Sequence, residues 1–209
     1  MTITTLFFDV GGVVLTNGWD RHSRAAVVPE FGLDYEEFQD RHDFVANAFE
    51  IGELSLDDYL ARTIFYRDRD FTQDEFVARM KATSEEFPGM LDLLDDFAAG
   101  PHLMATLNNE SSELNRYRID TFGLRDRFSF FLSSSSLGAK KPEPQIYRMA
   151  LNITMRNPSE CVFIDDRELN LECADKFGMH TIHFRGATDS PDVLREKLAA
   201  LGVTGPEQH

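Results

Sequence analysis

The chain has 209 residues, long for one simple domain and short for two large ones, so a main domain carrying an insertion is the expected arrangement. Its 36 acidic against 21 basic side chains give a formal net charge of -15, which argues against a nucleic-acid backbone or an anionic membrane surface as partner. The apolar runs are strand-sized rather than membrane-spanning, and two cysteines, Cys161 and Cys173, without a leader-like segment point to a reducing cytoplasm with both thiols packed.

In chain order, the first predicted strand covers residues 4–8 and ends at Asp9. Residues 6–14 read LFFDVGGVV, a run too short and too bulky for an exposed helix and suited to a strand buried on both faces. An Asp there is costly to bury unless its charge is paired. It stands either at the carboxyl end of the strand, where open α/β sheets bind ligands, or as an ordinary turn cap. From about residue 17 to 86 helical patterns follow with no convincing strand, until Phe87-Pro88-Gly89 breaks them. That stretch reads as an inserted all-helical cap, leaving 1–16 and 87–209 as the core. Trp19, Arg21, His22 and Arg24 follow the first strand closely enough to face a pocket; Trp19 equally suits a core anchor, and His22 a surface position.

A helix over 90–99 leads into strands at 102–107, 128–132, 161–164 and 180–184, with helices over 112–121, 144–151, 168–177 and 191–201. Strands alternating with helices of this length predict right-handed βαβ units, hence the α/β class with a Rossmann-like parallel sheet flanked by helices. From about Val203 the chain reads as a frayed polar tail.

Each of the first four strands ends in residues capable of chemistry. These are Asp9; Asn108 and Asn109; Ser133 to Ser136 followed by GAKKP at 138–142; and Asp165 with Asp166. A parallel sheet brings such ends to one edge. Like charges about 4 Å apart cost on the order of 4 kcal/mol at an effective dielectric of 20. A hard divalent cation removes that penalty, and Mg²⁺ suits one or two carboxylates with waters and a phosphate; lysine and amide donors suit the remaining phosphoryl oxygens. Taken singly, Lys141 suits a solvated loop, Asp165 and Asp166 suit helix caps, and Asn108 and Asn109 suit a turn. None of these plainer readings explains why four strand ends are loaded together.

In this order, FDVGGV at 8–13, LNN at 107–109, GAKKPEP at 138–144, and the run from Ile164 through Asp165, Asp166, Asn170 and Ala174 to Gly178 resemble the haloacid dehalogenase superfamily, in its phosphatase-like branch with a helical cap after the first strand. The resemblance implies that Asp9 is the nucleophile accepting a phosphoryl group, and that Asn108, at the family's Ser/Thr position, and Asn109 bind phosphoryl oxygens. It implies Lys141, in preference to Lys140, as the neutralising cation. Asp166 becomes a direct Mg²⁺ ligand, Asp165 a direct or water-mediated one, and the Gly11 carbonyl another. Asn170 shares a helix face with Ala174 and Phe177 and would steady the loops. Glu50, Gly52 and Glu53 match a cap segment with no role attached.

One position departs from the pattern. Two residues after the nucleophile such phosphatases usually carry a second Asp, which protonates the leaving oxygen and then activates water; here it is Gly11. General acid–base help of that kind is worth roughly 10²- to 10⁴-fold in rate. The resemblance implies a Mg²⁺-dependent phosphatase of a small phosphorylated metabolite, as monomer or homodimer. Two alternatives stand beside it. One is a non-hydrolytic phosphate- and Mg²⁺-binding or regulatory protein. The other is a metal-independent 2-haloacid dehalogenase, which lacks that Asp but needs no Asp165–Asp166 pair.

Overall fold

A computed structural model describes residues 2–205. Five strands, β1 (Thr5–Phe8), β2 (Leu103–Asn108), β3 (Phe130–Ser133), β4 (Cys161–Asp165) and β5 (His180–His183), form one parallel sheet in the order β3-β2-β1-β4-β5. The helices are α1 (Arg21–Glu30), α2 (Tyr35–Glu50), α3 (Leu56–Thr63), α4 (Gln73–Lys81) and α5 (Met90–Ala98) before β2. After it come α6 (Ser112–Thr121), α7 (Ser134–Leu137), α8 (Pro144–Thr154), α9 (Glu168–Lys176) and α10 (Pro191–Ala200).

Successive side chains of β1 point to opposite faces, and both faces are covered. Leu6 and Phe8 pack with Leu93 and Phe97 of α5 and Leu194 and Leu198 of α10. Phe7 packs with Ile146 and Tyr147 of α8 and Leu171 of α9 on the other side. β1 is therefore the central strand of a three-layer sandwich. Its neighbours, β2 and β4, are reached by connections running to opposite sides, so a crevice opens beyond its carboxyl end.

Helices α1 to α4 share a separate apolar cluster built on Trp19, Phe38, Tyr59, Leu60 and Phe76, which Leu114 of α6 joins. Each of the four begins at a side chain, Asp20, Asp34, Ser55 or Thr72, that accepts a backbone N–H three residues on. Among the described residues no helix is long and apolar enough to cross a membrane.

Two expectations need correction. The third strand starts at Phe130 rather than 128, because its pairing with β2 begins at Ala105↔Phe130. Phe128 instead turns into the core, edge-on to Phe8 at 5.8 Å. The supposed tail is anchored at its start: Val203 is 0% exposed, donates its N–H to the Leu198 carbonyl at 3.0 Å, and packs in the α5–α10 core. Residues 206–209 lie outside the described part. Val203→Ala removes two buried methyl groups and should lower unfolding free energy by about 2 kcal/mol in a urea titration. A silent substitution would restore the frayed-tail reading.

Candidate active site

Asp9 stands one residue past β1, its N–H bonded to the Ile164 carbonyl of β4 at 2.8 Å. Lys141 Nζ bridges Asp9 Oδ2 at 2.9 Å and Asp165 Oδ2 at 2.7 Å, with its side chain only 1% exposed. Burial pulls the lysine pKa down, but the two carboxylates outweigh it and hold it above the usual value. Of the adjacent pair only Lys141 enters this cluster; Lys140 turns to Glu50 at 2.9 Å.

Asp165 is wholly enclosed. Its Oδ1 accepts from the Arg167 N–H at 2.8 Å and Asn170 Nδ2 at 2.9 Å, and its Oδ2 from Lys141 and again from Asn170 Nδ2 at 3.0 Å. A carboxylate has about four acceptor positions, and here three donors, one of them shared between both oxygens, occupy most of them. Asp166 differs: its Oδ1 is buried with no hydrogen-bond partner. One ligand atom from each of Asp9, Asp165 and Asp166 lies within 4.8 Å of the others. Burial raises the Asp9 carboxyl to about 7, against the opposing pull of Lys141. Burial and then the Asp165 charge also raise Asp166. Three carboxylates facing one ammonium, with one buried oxygen unpartnered, form a donor set that a hard divalent cation fits.

The amides behave differently from expectation. Asn108 is buried, its Nδ2 donates to Asn115 Oδ1 at 3.0 Å, and its own Oδ1 has no partner. Asn109, expected at a phosphoryl oxygen, engages both ends of its amide with the main chain of Lys141, donating to its carbonyl and accepting its N–H, each at 2.8 Å. The reciprocal pair fixes the backbone that carries Lys141. Asn170 reaches inward from α9 to Asp165, so its hold is on the carboxylate rather than on loop backbone.

A cavity of about 470 Å³ opens beside this cluster, lined by Asp9, Gly11, Asn109 and Asn170. Arg21, Arg24, Arg118, Lys140, Lys141 and Arg167 also line it, six cations against the four carboxylates of Asp9, Asp20, Glu50 and Glu110, a local positive excess in a chain of net charge -15. Such a lining favours an anionic ligand. Trp19, His42 and Phe49 contribute from the α1–α2 side. Glu50 ties that side to the core through Lys140, and its carbonyl accepts from Ser134 Oγ at 2.6 Å. Gly52 has φ +79°, and a Cβ there would stand 3.0 Å from the Ser135 carbonyl carbon, so glycine permits this close approach. Glu53 is exposed.

His22 is exposed and does not line the cavity. The histidine that does, His42, was missed because it sits on the apolar stripe Phe38, His42, Val45 and Phe49 of α2. Trp19 Nε1 lies 3.0 Å from the Tyr59 hydroxyl, which lies 2.9 Å from His42 Nδ1. An indole N–H can only donate, so Tyr59 accepts from Trp19, which leaves its own O–H available to the neutral His42 ring.

Two outcomes follow from these contacts. At Gly12 φ is +81°, and a Cβ would overlap Asp166 Oδ2 and stand 2.6 Å from its Cγ. Gly12→Ala should therefore cost more than about 1 kcal/mol in chemical denaturation; unchanged stability would refute the close approach. Burial and then the Arg24 charge lower the His42 imidazole from 6.5 to about 4. The unfolded chain takes up that proton near pH 6.5 and the folded chain only near 4. The neutral ring's contribution is present above about pH 6.5 and lost as pH falls through about 4, up to about 3 kcal/mol. His42→Asn should flatten that part of the stability–pH curve, and parallel curves for the two proteins would contradict the assignment.

The chain is similar to known proteins over most of its length. Flavin mononucleotide hydrolase 1 of Arabidopsis thaliana is 29% identical over 174 residues, 83% of this chain and 69% of that protein. (S)-2-haloacid dehalogenase 4A of Burkholderia cepacia is 25% identical over 152 residues, 71% of this chain and 65% of that protein. A HAD family enzyme of Bacteroides thetaiotaomicron, solved in complex with magnesium and inorganic phosphate, shares the fold at a TM-score of 0.78 and 22% identity, over 92% of this chain and 100% of that one. Residues 3–178 match the family model described as haloacid dehalogenase-like hydrolase, and the chain belongs to that hydrolase family.

Proposed function

We propose that this hydrolase is a Mg²⁺-dependent phosphatase that transfers the phosphoryl group of a small phosphorylated metabolite to Asp9 and releases it by hydrolysis. The observation that carries the reading is the buried Lys141 bridge between Asp9 and Asp165, beside an Asp166 oxygen that has no partner. Asp9 supplies the attacking oxygen. Lys141 holds it in place and offsets the charge brought by the phosphate, while Asp165, Asn170 and the Asn109 clamp hold Lys141. Mg²⁺ would be held by Asp9, Asp166 and the Gly11 carbonyl; with most of its acceptor positions filled, Asp165 would contribute through water. The metal, when bound, supplies the positive charge that lets a phosphate dianion approach a carboxylate.

Residues 17–86 act in this reading as a cap that excludes water from the strand ends and selects the substrate. The phosphate-ester relative and the magnesium–phosphate complex of the structural neighbour support the same chemistry. The free thiols Cys161 and Cys173, both held above their usual range by burial, suit a reducing cytoplasm.

The dehalogenase reading has one observation in its favour, the missing carboxyl at Gly11, and a relative of that kind. A panel of phosphorylated metabolites with and without chelator separates the classes. Chelator-sensitive phosphate release is expected, and Asp9→Asn should lower it by at least ~10³-fold while its far-UV circular dichroism spectrum shows the fold retained. Chelator-resistant halide release from a 2-halo acid would establish the dehalogenase instead. Ligand binding without turnover would establish a binding protein.

A further inference from the structure

Phosphoryl transfer to Asp9 forms a bond from its carboxylate oxygen to phosphorus and breaks the bond from phosphorus to the leaving oxygen. The electron pair stays on that oxygen. Its charge must be met by a proton or by a fixed cation, and Gly11 offers no side chain for either. Gly11 and Asp9 line the same cavity, and a Cβ built on Gly11 would meet Asn17 Oδ1 at 3.1 Å and Arg118 Nη1 at 3.6 Å. Both of those residues line the cavity too.

Arg118 comes from the middle of α6 and is 3% exposed. Its Nη1 donates to Glu110 Oε2 at 3.0 Å, its Nη2 donates to the Thr16 carbonyl, and its Nε has no partner. A guanidinium has five N–H groups. Two are committed to holding it, and Nη1, with its second N–H uncommitted, lies next to the space where a residue-11 side chain would project. Glu110 is itself buried and fixed by the Ser111 N–H at 3.2 Å. The ion pair therefore sets the guanidinium before any substrate arrives, and a preset donor at a developing oxyanion is the arrangement that lowers a barrier most.

We propose that Arg118, positioned by Glu110, stabilises the negative charge on the leaving oxygen in place of a side-chain acid at position 11. The assignment rests on the phosphatase reading. The departing alkoxide or phenoxide takes its proton from solvent water, and a second water hydrolyses the aspartyl phosphate, returning Asp9 and inorganic phosphate. Arg118 is the catalytic group here, and Glu110 is a positioning residue.

The test is kcat/KM with Mg²⁺ for a series of aryl phosphates of graded phenol acidity, ending in an alkyl phosphate. Removal of one oxyanion donor typically costs about 10²- to 10³-fold. Arg118→Ala should approach that loss on the alkyl ester and lose only a few-fold on the most acidic phenol, so the dependence on leaving group steepens. Glu110→Gln should steepen it less, and added guanidinium ion should restore part of the Arg118→Ala rate on the poor leaving groups. A merely structural arginine would lower every rate by one factor with the slope unchanged, and that result overturns the assignment. Arg118→Gln, which keeps a donor to Glu110 without the charge, gives the same reading if the alanine variant fails to fold. If the wild-type protein releases no phosphate from any ester in the series, the phosphatase reading falls and this assignment falls with it.

Discussion

The ammonium of Lys141 is the point on which the catalytic edge depends. Removing a lysine from water costs several kcal/mol even after relaxation. Its contacts with Asp9 and Asp165, at 2.9 and 2.7 Å, offset that cost only because β1 and β4 are neighbours in the sheet. Taking away either carboxylate would leave a buried charge without its full complement. The surrounding bonds enforce the geometry: Asn109 grips the Lys141 backbone, and the Asn170 amide bridges both oxygens of Asp165. Well-packed apolar residues in place of the whole Asp9–Lys141–Asp165 triad would typically stabilise a fold as well or better. The network thus makes sense as chemistry held ready rather than as a source of stability.

The same logic extends to the roof of the cavity. The α1–α4 cluster is aromatic and tightly stacked, with Phe49 lying 4.1 Å from the Tyr59 ring at 9° between planes. That packing makes the polar chain from Trp19 through Tyr59 to His42 stiff, and it presents a neutral imidazole to an otherwise cationic cavity. The close approach of Gly52 to Ser135 and the Lys140–Glu50 pair join roof to floor a short distance along the chain from Lys141.

The convergence of the carboxylates was legible because its signals are local. Asp9, Asp165 and Asp166 are acids directly after apolar runs, and strand ends in a parallel sheet converge whatever the loops do. His42 and Arg118 were not legible. Both sit mid-helix, where periodicity separates buried from exposed positions but cannot tell an apolar core from a cavity wall. Which one a buried polar residue faces depends on how the helix docks, and docking is set by residues far away in sequence. Val203 escaped for a related reason: polar neighbours disguise one valine that closes the core beneath α10.

The adjacent glycines after Asp9 separate conformational from chemical necessity. Gly12 has φ +81° and abuts the Asp166 carboxylate, so backbone and sterics both demand it. Gly11 is not among the glycines with positive φ, and the nearest atom to a Cβ there is the end of the Asn17 side chain. No positive φ demands glycine at that position. What occupies the neighbouring space is the Asn17 amide oxygen, an acceptor, and the Arg118 guanidinium, a donor carried by α6 and held by Glu110 and the Thr16 carbonyl. Gly11 therefore removes a proton donor without leaving a void. The cation beside it answers the same electrostatic demand from a different part of the chain.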